Sequence, residues 1–221
     1  MNIEKHLIKY NFSRGNNIKY IVIHDTGNTD KEANSMCHYR YFNCCNRNAS
    51  AHYFVDDTRI VQVVEDYNAS WHVGDGHGKY GITNHNSIGV EICVNKDGNY
   101  DRAVSNAIEL VKYLMQKYNI SSNRVVRHYD ASRKCCPSSM YSNNWAKWNW
   151  FKSQLIGQGV QSNYGTVTAT VLNVRSQPST NSNIIGQLKK GEQVHIFKDC
   201  GDWLSIYYGD HGGYVSKQYI R

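Results

Sequence analysis

The pattern of apolar positions changes along the chain near residue 157. Before that point, strand-like apolar runs alternate with helix-like stripes, whereas after it short β-like stretches are separated by turn signals and show no helical period. The segment 157–165 is rich in Gly, Ser, Asn and Gln and has no apolar period, which is typical of a linker. The sequence therefore predicts two domains, residues 1–156 and 165–221, joined by a linker at 157–164.

The first domain is predicted to be α/β, because strand and helix patterns alternate within it. Strands are predicted at 20–24, 52–55, 59–64, 88–94 and 124–128, the second and third of them forming a hairpin. A capping box at 29–32 predicts a helix that begins there and ends near Tyr41. Apolar positions from Val104 to Met115 follow the amphipathic helical spacing, and a last helical stripe consists of Trp145, Trp148, Phe151 and Leu155. We expect a mixed sheet with helices packed on it.

The second domain is predicted to be a small all-β barrel close to the lower size limit for independent folding. Its predicted strands are 167–174, 193–198, 203–208 and 213–215. It has no cluster of His, Cys and carboxylate residues that is suited to catalysis. The pattern therefore favours a binding module.

Composition narrows the classes of partner only in part. A net charge of +7 suits an anionic partner such as nucleic acid, a polyanionic polymer or a cell envelope, but the same charge also serves solubility alone. The chain has no dense Lys/Arg tract and no nucleic-acid-binding motif, so nucleic acid is not an expected partner. No apolar run approaches the roughly 18 residues needed to cross a bilayer, and membrane insertion is not expected either.

The N-terminal sequence and the cysteines predict a protein made in the cytosol. The first residues are polar and lack the apolar stretch and cleavage site of a signal peptide. Seven cysteines are an odd number, and four of them form the adjacent pairs Cys44–Cys45 and Cys135–Cys136. These features argue against a disulfide framework.

Three residues form a candidate metal site. His24 and His128 end predicted strands, where α/β domains open into a crevice, and Cys136 follows in an irregular loop before Pro137. Two imidazoles and a thiolate suit Zn²⁺, and three protein ligands leave a fourth position open, as in catalytic sites. The chain has 10 His and 7 Cys, however, so a chance triplet is easy to assemble and the spacing alone leaves the question open.

Two charged residues are further candidates. Glu91 lies in an apolar strand between Val90 and Ile92, and a carboxylate in such a strand is costly unless it faces a polar cleft or a partner. A Glu on the surface of the sheet is the alternative. Lys134 lies two residues before Cys136, where it is either a functional charge or a solvated loop residue.

The amino-acid sequences of three motifs resemble those of a known family. IVIHDTG at 21–27, SIGVEIC at 87–93 and RHYDASRKCCP at 127–137 occur in this order. Residues 3–156 resemble the zinc-dependent N-acetylmuramoyl-L-alanine amidases of the amidase-2 type, which are related to peptidoglycan recognition proteins and common in phage and prophage endolysins. The second domain resembles a bacterial SH3 domain through LNVRSQP at 172–178, IGQLKKG at 185–191 and DWL at 202–204, although its late aromatic is Tyr214 rather than the usual Trp.

The resemblance implies roles for individual residues. His24, His128 and Cys136 would hold zinc, with Cys136 rather than Cys135 at the ligand position. Glu91 would accept a proton from the attacking water, and Lys134 would stabilise the oxyanion. Asp130 competes as a carboxylate ligand, but the resemblance favours a supporting or loop-capping role for it.

Two further histidines, His52 and His72, are candidates for contact with the substrate. Some relatives use a Tyr just before the histidine of the second strand, but Ala51 occupies that position before His52, which gives Glu91 more importance. His72 matches a segment that lines the groove. His52 and His72 are therefore candidate substrate-binding residues, with a purely structural role as the alternative for each.

The resemblance implies hydrolysis of the amide bond between N-acetylmuramic acid and L-alanine of the peptidoglycan stem peptide, leading to lysis of the bacterial cell wall. The SH3-like domain would bind the wall, and the enzyme would act there after its release from the host cytoplasm. A non-catalytic peptidoglycan receptor on the same fold is the alternative. It is disfavoured because binding-only relatives commonly lose the cysteine that is present here as Cys136.

Overall fold

A computed structural model describes residues 1–155, 164–209 and 212–221 of the chain. The chain divides into two compact units, Met1–Ile156 and Gly157–Arg221. The predicted linker at 157–164 lies, apart from its last residue, outside the described residues. The two units are described separately below.

The first unit contains a mixed sheet. Its strands are β1 (Ile3–Lys5), β2 (Phe12–Arg14), β3 (Tyr20–Asp25), β4 (Tyr53–Val55), β5 (Ile60–Gln62), β6 (Asn68–Ser70), β7 (Ser87–Ile92) and β8 (Val125–Arg127). Six of them form one sheet in the order β1-β5-β4-β7-β3-β8, in which only the β4–β5 hairpin is antiparallel. Strands β2 and β6 form a separate antiparallel pair. The predicted mixed sheet and hairpin are confirmed.

Four α-helices accompany this sheet: α1 (Ser35–Cys44), α2 (Tyr100–Tyr118), α3 (His128–Ser132) and α4 (Ser142–Leu155). The predicted helices in the regions of α2 and α4 are confirmed. The predicted start of α1 at 29–32 is wrong, because the side chain of Asn34 caps the helix by accepting from the Cys37 amide at 3.1 Å. Asp56 fixes the same end, since its carboxylate accepts from the amide and the hydroxyl of Ser35.

The two faces of the sheet carry different kinds of side chain. Ile21 and Ile23 of β3 belong to a buried cluster with the apolar faces of α2 and α4, and in β7 the residues of the same cluster are Ile88, Val90 and Ile92. Successive side chains of a strand point to opposite faces, so the residues between them belong to the other face. In β3 these include His24, and in β7 they include Glu91. One face thus supplies the main core and leaves the other face available for polar chemistry.

A cluster of hydrogen bonds surrounds the buried carboxylate of Asp66 near β4 and β5. Asp66 accepts hydrogen bonds at 2.5–3.2 Å from the side chains of Tyr53, Gln62, Lys117 and Tyr118. Burial raises the pKa of Asp66, but the hydrogen bonds from Tyr118, Tyr53 and Lys117 outweigh it and hold the pKa below its ordinary value. The cluster therefore ties the end of α2 to β4 and β5 through an ionised carboxylate.

The second unit is an all-β structure, as predicted. Its strands are β9 (Tyr164–Thr166), β10 (Val171–Arg175), β11 (Ile184–Lys189), β12 (Gln193–Asp199), β13 (Trp203–Ile206) and β14 (Gly213–Ser216). They form one antiparallel sheet in the order β11-β10-β14-β13-β12-β9 around a core of its own. Strand β11 was not predicted as a strand, because only Leu188 of its residues is buried. A Cβ at Gly186 in this strand would lie 1.9 Å from the Tyr208 hydroxyl, so a side chain there would displace the Tyr208 ring.

Across both units, the helices and the cysteines of the described residues each share one property. Among the helices there, none combines the length and the apolar content that a bilayer span requires. All seven cysteines lie within the described residues, and each of them is a free thiol.

Candidate active site

The site lies where β3, β7 and β8 end next to one another. The parallel register pairs His24 of β3 with Glu91 of β7, and Ile23 of β3 with Arg127 of β8. His128 follows Arg127 directly and begins α3. The main-chain pairing of three neighbouring strands therefore brings His24, Glu91 and His128 together, although they are far apart in the sequence.

Three potential metal ligands meet at this point. The donor atoms of His24, His128 and Cys136 all lie within 4.8 Å of one another, and the residues are only 2%, 4% and 5% exposed. The Cys136 Sγ lies 3.8 Å from the His24 Nδ1. Cys135 is exposed, so the grouping contains Cys136 and not its neighbour. The structure thus brings together the three residues that the sequence singled out.

The hydrogen bonds of the histidines fit a metal ion. His128 donates from Nε2 to the Asp75 carboxylate at 2.8 Å, while its Nδ1 is buried and has no partner among the described residues. Burial lowers the pKa of His24 and of His128, and the nearby histidines and Lys134 lower that of His24 further, so both imidazoles are neutral bases. A buried lone pair without a partner is costly, and a metal ion between these donors would remove that cost.

Glu91 lies beside this grouping. Its side chain is 19% exposed, its Oε1 is 3.8 Å from the His24 Nδ1, and its Oε2 is buried without a hydrogen-bond partner in the described part of the chain. Burial and the charge of Asp25 raise the pKa of Glu91 to about 8, against the opposite effect of Lys134. The carboxyl group is therefore on the same face of the sheet as the metal-ligand candidates, as its position in β7 predicted.

A cleft of ≈ 520 Å³ opens at the site. Its lining consists of Asn48, Trp71, His72, Gly74, Asp75, Asn84, His128 and Lys134. Lys134 is an exposed residue on this cleft, where its charge contributes to the lowered pKa of Asp75. A cationic side chain at the rim and a metal-ligand candidate on the wall suit a substrate that develops negative charge during the reaction.

Asp130 is a capping residue rather than a member of the ligand grouping. Its carboxylate accepts hydrogen bonds from the amide and the guanidinium group of Arg127, at 2.7–3.0 Å. This contact fixes the first turn of α3, which carries His128. The loop-capping alternative considered for Asp130 agrees with this geometry.

His52, a candidate substrate-binding residue, is not among the residues that line the cleft. The residue is 0% exposed. Its Nε2 donates to the Asn68 carbonyl at 2.9 Å, and its Nδ1 accepts from the Gly89 amide at 3.0 Å and from the Ser70 hydroxyl at 2.7 Å. Both ring nitrogens thus have hydrogen-bond partners inside the protein, a geometry that favours the structural alternative for His52.

His72 lies in the cleft wall but is mainly an internal residue. It is 8% exposed, and its Nδ1 lies 3.0 Å from the His24 Nε2 while its Nε2 lies 3.0 Å from the Ser87 hydroxyl. Both of its ring nitrogens thus face side chains inside the protein, one of them a metal-ligand candidate. Two hydrogen-bond partners were not candidates from the sequence, namely Ser87, which contacts His72, and Asp75, which accepts from His128. A carboxylate three residues after His72, in a Gly-rich segment, was the available signal for Asp75.

Comparison with known proteins identifies the family. The family model described as N-acetylmuramoyl-L-alanine amidase matches residues 14–139, and the bacterial SH3 domain model matches residues 170–221. The amidase CwlH of Bacillus subtilis is 33% identical over 186 residues, which cover 82% of this chain and 72% of CwlH. The amidase XlyA of Bacillus subtilis is 40% identical over 142 residues, which cover 64% of this chain and 46% of XlyA. The chain thus spans most of one relative and about half of the other.

Solved structures agree with this assignment. The catalytic domain of XlyA matches with a TM-score of 0.63 and 38% identity, over 70% of this chain and 99% of that domain. PlyL matches with the same TM-score and 31% identity, over 72% of this chain and all of the PlyL chain. The chain therefore belongs to the family of N-acetylmuramoyl-L-alanine amidases, which hydrolyse an amide bond of bacterial peptidoglycan, and carries a bacterial SH3 domain after its amidase domain.

Proposed function

We propose that the first unit is a zinc-dependent amidase that separates N-acetylmuramic acid from L-alanine of the stem peptide, and that the second unit holds the enzyme on the cell wall. The observation that carries the proposal is the buried grouping of His24, His128 and Cys136 beside the Glu91 carboxyl, at the wall of an open cleft. Family membership supplies the bond that is cut.

Zinc is the metal that suits this donor set best. Two neutral imidazoles and one thiolate are borderline-soft ligands, and a site with three protein ligands leaves room for water or substrate. When bound, zinc supplies an activated water at neutral pH and polarises the scissile carbonyl. Burial raises the pKa of the Cys136 thiol, and Glu91 raises it further, so a cation between the ligands is needed to keep this residue as a thiolate.

Glu91 acts as the proton carrier in this proposal. A cation held by His24, His128 and Cys136 would lower the raised pKa of Glu91 and keep this residue ionised. The Glu91 carboxylate would then accept a proton from the attacking water and donate it to the departing amine nitrogen of L-alanine. The position of Glu91 opposite His24 in the β3–β7 ladder supports this role, because it places the main chain of Glu91 beside that of His24 and so brings the carboxyl within reach of the ligand grouping.

Lys134 and Asp75 act on charge and orientation. The ammonium group of Lys134, on the rim of the cleft, offsets the negative charge that develops on the carbonyl oxygen as the tetrahedral intermediate forms. Asp75 accepts from the Nε2 of His128 and so directs the Nδ1 lone pair of that histidine toward the other ligands.

The second unit contributes by tethering. A wall-binding module linked to a catalytic unit raises the effective concentration of substrate without any new contact at the active site. The net charge of +7 favours a wall that carries anionic polymers. On this proposal the enzyme is made in the host cytoplasm and acts on the wall after release, as an endolysin or autolysin.

Mass spectrometry of digested peptidoglycan tests the activity directly. The full chain should release free L-alanine amino termini and leave intact N-acetylmuramic acid. Chelation should abolish this release, and added Zn²⁺ should restore it. Full activity in metal-stripped protein would refute the metal-dependent mechanism, while binding of peptidoglycan without any cleavage by the zinc-loaded protein would favour a receptor on the same fold.

A further inference from the structure

The strongest additional feature is a buried chain of hydrogen bonds behind the metal-ligand candidate His24. The chain runs from His24 through His72 and Ser87 to the Thr83 carbonyl, with distances of 3.0, 3.0 and 2.6 Å. His24, His72 and Ser87 are all buried. The direction of each hydrogen bond in this chain follows from the acceptor at its end.

The Thr83 carbonyl sets the first step because it is an acceptor only. The Ser87 hydroxyl carries a single proton, which it donates to this carbonyl. Toward the His72 Nε2, the Ser87 oxygen therefore acts as the acceptor, and the His72 Nε2 must carry a proton. A doubly protonated His72 has no carboxylate among these partners, and an unpaired buried charge is costly, so its Nδ1 is an unprotonated acceptor.

The last hydrogen bond of the chain joins His72 to His24. Its Nε2 faces the His72 Nδ1 at 3.0 Å and donates to it. A neutral imidazole carries one proton, so the His24 Nδ1 keeps its lone pair. That nitrogen is the one 3.8 Å from the Cys136 Sγ. The chain of bonds thus selects the tautomer of His24 in which the free lone pair is on the side of the other ligands.

The neighbouring strand is adapted to this arrangement. A Cβ at position 89 would lie 2.7 Å from the Cγ and 2.8 Å from the Nδ1 of the His72 ring. Gly89 is therefore needed for the imidazole to reach its place between His24 and Ser87. The ring is held by packing as well as by hydrogen bonds at both nitrogens.

From this geometry we propose that His72 and Ser87 are positioning residues, which fix His24 in the Nε2–H tautomer and so prepare its Nδ1 to bind the metal. The proposal rests on the metal site of the proposed function. It assigns no contact with the substrate to either residue. The His24–His72–Ser87 chain takes the place that a carboxylate or backbone carbonyl has behind many metal-bound histidines.

Ser87→Ala in the full chain tests the proposal without changing a ligand or His72. Loss of the Ser87 acceptor removes the reason for a proton on the His72 Nε2, so His72 can adopt the tautomer that donates to His24. We expect Zn²⁺ affinity, measured by competition with a chromophoric chelator, to fall about 10- to 100-fold. Ser70→Ala is the matched control, because Ser70 is an equally buried serine bonded to His52 rather than to His72.

Long-range ¹H–¹⁵N NMR of the metal-free protein gives a second readout, since it distinguishes the two tautomers of each histidine. We expect the Nε2–H form of His24 in the wild type and in Ser70→Ala, and a mixture or the Nδ1–H form in Ser87→Ala. If Ser87→Ala unfolds, the pair His72→Asn and His72→Phe replaces it. Asn keeps an acceptor near the Nδ1 position and should bind Zn²⁺ more tightly than Phe.

These readouts separate the two proposals. A wild-type protein that does not bind Zn²⁺ refutes the proposed metal site, while the tautomer of His24 still tests the chain of hydrogen bonds. An Nδ1–H tautomer in the wild type overturns the inference. Equal Zn²⁺ affinities in Ser87→Ala and Ser70→Ala overturn it as well, and if the His72 variants are used, equal affinities of the Asn and Phe forms do the same.

An independent observation concerns the adjacent cysteines at the end of α1. Cys44 and Cys45 are both exposed, and their Sγ atoms lie 3.3 Å apart. The Arg47 guanidinium donates to the Cys44 Sγ at 3.1 Å and is itself held over the Tyr41 ring. The hydrogen bond with Cys45 and the contact with Arg47 lower the pKa of Cys44, which favours its reactive thiolate form.

We infer that this pair is a peroxide-sensitive dithiol. The Cys44 thiolate attacks the O–O bond of hydrogen peroxide and becomes a sulfenic acid, with one oxygen leaving as water after protonation. The Cys45 thiol then displaces the sulfenic oxygen as a second water and forms the S–S bond. Each sulfur loses one electron, and the two electrons reduce one peroxide to two waters.

The position of the pair links it to the cleft. Asn11 donates to the Cys45 carbonyl at 3.2 Å and accepts from the Asn48 amide at 3.1 Å, and Asn48 is one of the residues that line the cleft. The main chain of the cysteine pair is thus linked through Asn11 to a residue of the cleft wall. Because the two residues are adjacent, the bond closes a tight ring, and a thiol reductant should reopen it easily.

Tryptic mapping of the peroxide-treated full chain tests the dithiol. The peptide 41–47 contains both cysteines, and we expect it to become lighter by two hydrogens and to regain them with dithiothreitol. The peptide 135–147 is an internal control, because it holds the pair Cys135–Cys136, of which only Cys135 is exposed. Two intact thiols in peptide 41–47 after treatment, or equal disulfide formation in both peptides, would refute the assignment.

Discussion

Gly89→Ala tests the packing of the site because position 89 has no room for a side chain. The added Cβ would lie 2.7 Å from the His72 Cγ, well inside normal contact distance. The strand itself cannot yield easily, since the Gly89 carbonyl accepts from the His52 amide and the Gly89 amide donates to the His52 Nδ1, both at 3.0 Å. The His72 ring must therefore move.

The size of the effect follows from what this movement breaks. Overpacking in a well-packed region costs about 1–3 kcal/mol. A displaced His72 also loses its hydrogen bonds to His24 and Ser87, each worth about 1 kcal/mol. The total loss of unfolding free energy for the first unit is about 3–5 kcal/mol. For a unit of this size, that loss lowers the melting temperature by roughly 6–20 °C.

Calorimetry of the full chain measures this change as a shift of the first unit's unfolding transition. Gly74→Ala is the matched control, because Gly74 lies in the same cleft but a Cβ there would have only an ordinary 3.5 Å contact with Asn84. If Gly89→Ala lowers the melting temperature no more than Gly74→Ala does, His72 does not occupy the space against β7 and the reasoning fails.

Four further outcomes are expected. Cys136→Ser should lose bound metal and activity while Cys135→Ser keeps both, and metal analysis with the reverse result would shift the ligand by one residue. Glu91→Gln should bind zinc normally but cleave peptidoglycan about 10²–10⁴-fold more slowly, and wild-type rates would make that residue structural. Asp66, whose pKa is lowered in the folded state, stabilises the first unit above its unfolded pKa near 3.8 and loses this contribution as pH falls through its folded pKa. The difference in unfolding free energy between wild type and Asp66→Asn should be about 1.5–3 kcal/mol at pH 7 and should shrink in acid, and a difference independent of pH would contradict this linkage. Removal of the second unit should leave cleavage of soluble muramyl peptides unchanged but slow the lysis of intact walls, most at low enzyme concentration, and equal lysis with and without it would refute tethering.

The sequence predicted those parts of the fold that have a local period. The amphipathic spacing in α2 and the aromatic stripe of α4 were readable because both helices bury one continuous face. The start of α1 was not readable in the same way. Glu32 of the apparent capping box has a positive φ of 62°, and its amide donates a hydrogen bond to the Asp97 carboxylate. The helix therefore begins later, after the N-cap residue Asn34. The local capping-box pattern was therefore overridden by a contact between Glu32 and Asp97, which lies 65 positions further along the chain.

The residues of the site likewise fall into those that could be predicted from the sequence and those that depend on the fold. The ligand candidates His24, His128 and Cys136 were found because their motifs carry a family resemblance. His52 and His72 could not be separated, because each is a histidine in an apolar context and only the fold decides what its nitrogens contact. The role of Ser87 as the acceptor for His72 depends on the parallel pairing that sets β7 beside β3, and sequence spacing contains no information on that pairing.

The alternation of side chains along β3 has a consequence for how this enzyme can vary. Ile21 and Ile23 pack into the main core on one face of the sheet, whereas His24, one residue further along, belongs to the metal-ligand candidates on the other face. Stability and activity are thus encoded by different members of the same short strand. Volume-conserving apolar substitutions at the core positions should be tolerated because the neighbouring side chains of α2 and α4 can repack, whereas any substitution of His24 removes a metal-ligand candidate. A family built on this strand can therefore drift in its interior while its reaction stays the same.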